Sequence, residues 1–188
     1  MKAAARRALL LLAPLMVSGC GRNHFPTYPA NYHEFAYVTN GAENTVTVLD
    51  LVYLRRDRVL QVGRQPSGMA VNPVRNEVYA VNSGSESVSV IDAATNEVVA
   101  TMGVHRKPYS IDVAPDGKRA YVANSESNTV SVLDLDKRRE IGVAAAGEGP
   151  GVAKVTPDNR TLVVSNRVAG SLSVYTIQEP GRQPLLFR

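Results

Sequence analysis

Cysteine is all but absent: Cys20 is the only one in 188 residues, so no disulfide within the chain can brace a fold. Long apolar runs are missing too. The stretch Ala8 to Val17, behind the basic start Lys2, Arg6 and Arg7, falls short of the roughly 20 apolar residues a membrane-crossing helix needs. It reads as an export signal over residues 1–19. An excess of one charge is also lacking. The signal holds three of the 21 Lys and Arg residues and none of the 17 acidic ones, so the chain from Cys20 onward is nearly neutral. A nucleic-acid footprint needs clustered positive charge, and none is expected here.

Catalytic signatures are equally scarce. The three histidines, His24, His33 and His105, have no ligand spacing, so no metal is expected. Neither a nucleophile elbow nor a zinc-protease helix occurs. Gly147-Glu148-Gly149-Pro150-Gly151 with Lys154 imitates a phosphate loop but lacks the Gly-Lys-Ser/Thr ending and the helix after it. No cofactor is expected.

What is present begins at that single cysteine. Val17-Ser18-Gly19-Cys20 resembles the lipobox of bacterial lipoproteins, which implies that Cys20 becomes the lipidated first residue of the mature protein. Several acyl chains would hold it firmly, since each buried methylene contributes about 0.8 kcal/mol. Gly21 follows the cysteine where an aspartate would retain the protein at the inner membrane, so the resemblance implies the outer membrane. Residues 20–33, with Pro26 and Pro29 and little periodicity, read as a tether.

The rest of the chain writes one sentence four times. Tyr37-Val38-Thr39-Asn40, Tyr79-Ala80-Val81-Asn82, Tyr121-Val122-Ala123-Asn124 and Val163-Val164-Ser165-Asn166 stand 42 residues apart. Asp50, Asp92 and Asp134 keep that step, as do Pro66, Pro108 and Pro150. A period of this length marks a solenoid, propeller or array. Within each unit, β-branched residues alternate at period 2 between turn clusters such as Ala114-Pro115-Asp116-Gly117, which is the pattern of strands. The third strand carries only Ser or Thr on its second face (Val88-Ser89-Val90, Val130-Ser131-Val132), so both faces are expected to be covered by neighbouring sheets. Four short antiparallel strands in about forty residues match one propeller blade.

Tyr37-Val38-Thr39-Asn40 with Thr45-Val46-Thr47-Val48-Leu49-Asp50, and Tyr121-Val122-Ala123-Asn124 behind Pro108, resemble the YVTN-type β-propeller repeat. The resemblance implies an all-β propeller of about four blades, as a partial arc or a small ring, with repeats over 34–66, 67–108, 109–150 and 151–188. It implies that the segment after each repeated proline is the innermost strand, so the first blade starts at its second strand. Near the end, Gly181-Arg182-Gln183-Pro184 copies Gly63-Arg64-Gln65-Pro66 but arrives early, so an outer strand is lost or shortened. Leu185-Leu186-Phe187 then either supplies the innermost strand of blade one or marks where a longer ring was cut. An unclosed arc would leave apolar faces at both ends, which leads to the expectation of self-association or of a protein partner completing the propeller.

Residues that repeat in every blade belong to the scaffold; a single site needs residues that break the repeat. Asn40, Asn82, Asn124 and Asn166 are expected to end strands by bonding their own backbone, and Asp50, Asp92 and Asp134 to form turns. The breaks lie in the loops before the repeated prolines, which converge at the mouth, and at one position of the innermost strand, which in a propeller lines the central channel. Arg64, His105, Arg106, Lys107, Asp112 and Lys154 form a candidate charged face for an anionic ligand or partner. The alternative is a solvated rim in which Asp112 and Lys154 neutralise each other. The resulting expectation is a lipid-anchored envelope scaffold without catalysis. The resemblance also admits a lactonase-type or redox-cofactor-associated relative, or half of a longer propeller.

Overall fold

The computed structural model of the chain describes residues 28–29, 32–178 and 186–187. The export signal, Cys20 and most of the tether lie outside the described residues. The chain divides into two units, Met1–Tyr32 and His33–Arg188. In the first, the rings of Tyr28 and Tyr32 stack with centroids 4.9 Å apart. The second is all β, as the alternation predicts.

Its strands form four antiparallel sheets in chain order. Sheet one holds β1 (Phe35–Asn40), β2 (Thr45–Asp50) and β3 (Arg55–Gln61). Sheet two holds β4 (Pro66–Asn72), β5 (Glu77–Asn82), β6 (Ser87–Asp92) and β7 (Glu97–Gly103). Sheet three holds β8 (Pro108–Val113), β9 (Arg119–Asn124), β10 (Thr129–Asp134) and β11 (Arg139–Ala145). Sheet four holds β12 (Pro150–Val155), β13 (Thr161–Asn166), β14 (Ser171–Ile177) and the short β15 (Leu186–Phe187). The innermost strands β4, β8 and β12 begin on the repeated prolines. The register slips at the same step of the outer hairpin in each of the first three sheets, at Val48/Leu49, Val90/Ile91 and Val132/Leu133. Such bulges raise the local twist, and here they do so periodically.

The tail takes a different place from the one expected for a ring-closing strand. Leu186 pairs with Ile177 and Phe187 with Thr176, so the segment is the shortened outer strand of sheet four. Turning back onto the strand just before it closes only a short loop, the least costly pairing in chain entropy. β1 therefore stays an edge strand of a three-stranded sheet.

Packing runs from sheet to sheet. Val46 and Val48 of sheet one meet Val78, Ala80 and Ile91 of sheet two. Tyr79, Val81, Val88 and Val90 meet Ala120, Val122 and Leu133 of sheet three. Tyr121, Ala123, Val130 and Val132 meet Leu162, Val164 and Tyr175 of sheet four. Among the described residues these are the three clusters, and each fills one joint. The innermost strands approach so closely that a Cβ on Gly68 would sit 2.8 Å from the carbonyl oxygen of Tyr109.

The repeated asparagines end β1, β5, β9 and β13 as expected, but not through unusual dihedrals or bonds to their own backbone. They are absent from the left-handed region, which is held by other turn residues such as Asn44, Asn76, Asn96 and Asn128. Instead each Nδ2 donates across the hairpin to two hydroxyls: Asn40 to Thr45 and Thr47, Asn82 to Ser87 and Ser89, Asn124 to Thr129 and Ser131, Asn166 to Ser171 and Ser173. The hydroxyls of the third strand are thus acceptors as well as small side chains. Asp50 and Asp92 do cap turns, each accepting from the amides two and three residues on. Asn124→Ala leaves the Thr129 and Ser131 hydroxyls without this donor in a buried setting and should cost about 2 kcal/mol in urea unfolding. Adding Ser131→Ala should recover part of that loss; a double variant as weak as the sum of the singles would show that the two side chains act independently.

Candidate functional site

The loops entering the innermost strands are shaped by a left-handed residue directly before each proline, Gln65, Lys107 and Gly149, with φ of 50°, 53° and 63°. Arg64, His105, Arg106 and Lys107 lie on these loops, whereas Asp112 and Lys154 lie toward the far ends of β8 and β12. Asp112 and Lys154 are brought together across the joint of sheets three and four, with Nζ to Oδ1 at 2.7 Å. The other oxygen of Asp112 accepts the Val155 amide at 2.8 Å, so both carboxylate oxygens are engaged. His105 turns to Glu140, with Nε2 to Oε2 at 3.4 Å, and Lys107 to Glu126 at 3.9 Å. Arg64 borders a shallow cavity of about 370 Å³ shared with Gly41, Ala42, Asn44, Gln65 and Gly84. The backbone carbonyl of Arg106 accepts from Ser127 Oγ. His105, Lys107 and Lys154 are thus each set against a carboxylate rather than aimed together at one point.

Two groupings escaped the sequence reading. At the mouth, the Arg167 guanidinium lies over the Tyr109 ring at 4.1 Å, a cation–π contact between adjacent sheets. At the outer side, Glu77 accepts from Arg75 Nε at 3.0 Å and Arg138 Nη2 at 3.1 Å, and also from the Tyr79 hydroxyl. The signal for the second was present: the column Phe35, Glu77, Arg119 and Thr161 changes chemistry in every repeat.

The electrostatics favour structure over proton transfer. Burial raises the phenols of Tyr37, Tyr79 and Tyr121, reinforced at Tyr79 by its bond to Glu77. The Arg75 guanidinium is raised by its bond to Glu77. Asp158 is lowered first by the Thr156 hydroxyl; at Asp134 burial opposes ionisation but the Lys137 bonds outweigh it. Every one of these shifts leads away from neutrality, the opposite of what general acid–base catalysis requires. Among the described residues no group of three His, Cys, Asp or Glu is placed to hold a metal ion.

A tyrosine raised in the fold stabilises it below the unfolded value of 10.0, and that stability is lost as pH climbs through the raised one. Unfolding free energy should therefore fall above about pH 10. Tyr79→Phe should shallow that alkaline slope, read from urea midpoints between pH 8 and 11; an unchanged slope would mean Tyr79 does not titrate with unfolding.

A family model described as YNCE-like beta-propeller matches residues 9–146. A second, lactonase, 7-bladed beta-propeller, matches 111–187. Among solved structures, Kuenenia stuttgartiensis hydrazine synthase superposes with a TM-score of 0.70 at 30% identity, over 77% of this chain and 42% of that one. A functionally unknown protein from Desulfotomaculum acetoxidans DSM 771 gives 0.62 at 16% identity, over 71% and 44%. A provisionally assigned 6-phosphogluconolactonase from Bacteroides uniformis ATCC 8492 gives 0.64 at 18%, over 80% and 54%. The chain thus spans about half the length of these structures, and the last two likenesses concern the fold alone. No curated protein matches.

Proposed function

Because the chain belongs to the YNCE-like β-propeller family, we propose that it is a non-catalytic binding scaffold of the bacterial cell envelope, exported and held at the membrane through lipid on Cys20. Fold does not settle function, so the reading rests on the site. The observation that carries it is the state of Asp112: with one oxygen on Lys154 and the other on the Val155 amide, this carboxylate of the innermost strand is a structural tie between sheets and not a free base. The lipid anchor rests on Val17-Ser18-Gly19-Cys20, and placement in the outer membrane on Gly21. The ends of the sheet series supply its surface for a partner.

The match of residues 111–187 to the lactonase model favours one second reading, a lactonase-like enzyme using Asp112, His105 and Lys154. The partial coverage of longer structures fits a third, half of a longer propeller. The test has two arms. Radiolabelled palmitate should enter the chain in a bacterial host and be lost in Cys20→Ser, with the protein moving from the membrane to the soluble fraction. Lactone hydrolysis, with and without divalent metal, should stay at background; activity that disappears in Asp112→Ala/His105→Ala would replace the scaffold with the enzyme.

A further inference from the structure

The two outermost faces of the sheet series carry the same columns that fill the internal joints. In sheets one to three, the third-strand valines Val46, Val48, Val88, Val90, Val130 and Val132 are sealed by the next sheet. Their counterparts in sheet four, Leu172 and Val174, are 63% and 51% exposed. On the opposite side, Ala80, Val122 and Val164 are fully buried against the preceding sheet, while Val38 in the same column of sheet one is 45% exposed. One face repeats the surface that each internal joint offers, and the other repeats the surface that receives it.

The columns at the edge of the joint add a specific match. Between sheets one and two, the Tyr37 hydroxyl donates to Asn96 Oδ1. Stepping the register to a joint between sheet four and a following sheet one puts Val163 in the tyrosine column and Leu54 in the asparagine column. Both members have turned apolar together. Leu54 is otherwise hard to account for: it holds a left-handed φ of 51°, where its counterparts are Asn96 and Arg138, and is 82% exposed. The same step sets His33 against Asp158, where Asn159 meets Asp116 between sheets three and four.

We propose that a second copy of this chain covers these faces, sheet four of each copy packing on sheet one of the other. Two such joints related by a twofold axis close a ring, and eight sheets fall within the known range of four to eight propeller blades. This deepens the scaffold reading and rests on it for the partner surface.

The test uses the full chain in detergent. Light scattering, with bound detergent subtracted, should return twice the mass of one mature chain, and Leu172→Asp/Val174→Asp should halve it while leaving the circular dichroism spectrum unchanged. In a Cys20→Ser background, which removes the only native thiol, Leu54→Cys and Val163→Cys chains should form a disulfide-linked pair when co-expressed and none when each is expressed alone. Linkage of Val163→Cys to itself would overturn the proposal in favour of like faces meeting. An internal disulfide in the Leu54→Cys/Val163→Cys chain at single-chain mass would mean a ring closed by one copy. Single-chain mass without any linkage would also defeat it. Lactone hydrolysis would defeat the scaffold reading without altering any of these masses or links.

Discussion

Tyr121→Ala should lower the unfolding free energy by about 4 kcal/mol, within the range for removing a large aromatic from a packed interior. Tyr121 is fully buried on β9 and fills the joint between sheets three and four beside Val130, Val132, Leu162 and Val164. Both walls of that joint are sheets with paired neighbours, so neither can collapse far into the space left behind, and most of the cavity cost remains. For a chain of this size the loss corresponds to roughly 8 to 16 °C in melting temperature. Urea unfolding followed by circular dichroism measures it. A loss below about 1 kcal/mol would show that sheets three and four are not packed as a single core.

That joint also shows what kind of information the sequence carries. The strands, their order and the proline-led innermost strands follow from the 42-residue step, because a repeated backbone path needs the same turn residues at the same intervals. The exposed ends follow too, once the blades are counted. The asparagine contacts do not, since a side chain's partner depends on which hydroxyls the next strand places opposite it, and the bond from Asn124 to Ser131 spans a turn whose register had first to be known. The short tail strand was hidden for a similar reason: its resemblance to an innermost strand lies in residues 181–184, while its pairing is decided by the nearest open edge, β14. On the innermost strands, the Asp112–Lys154 pair was legible as neighbouring breaks in one column. The partners of His105 and Lys107, Glu140 and Glu126, lie at positions that alignment of the repeats does not connect.

Glu77→Ala should be nearly as damaging, at about 3 kcal/mol, for an electrostatic reason. Glu77 is buried on β5 and holds Arg75 of its own sheet and Arg138 of sheet three, while Arg75 also reaches Asp136 of sheet three. Removing the carboxylate leaves two guanidinium groups and the Tyr79 hydroxyl facing an apolar methyl. The guanidinium groups are partly open to water, which keeps the expected cost at the low end for a broken buried pair. Glu77→Ala and Arg138→Ala should therefore be non-additive, with a coupling of about 1 to 2 kcal/mol in a double-mutant cycle; additivity would mean that Arg138 stays at the joint through its bond to the Val99 carbonyl alone. The position of the network magnifies its effect. Sheets that contact only their neighbours have a stability made of one term per sheet and one per joint. The Glu77 network ties the middle joint, so weakening it separates the series into two pairs of sheets rather than trimming an end. In Glu77→Ala the single unfolding transition should broaden or divide, whereas a loss at either outer joint should leave the other sheets folding as one.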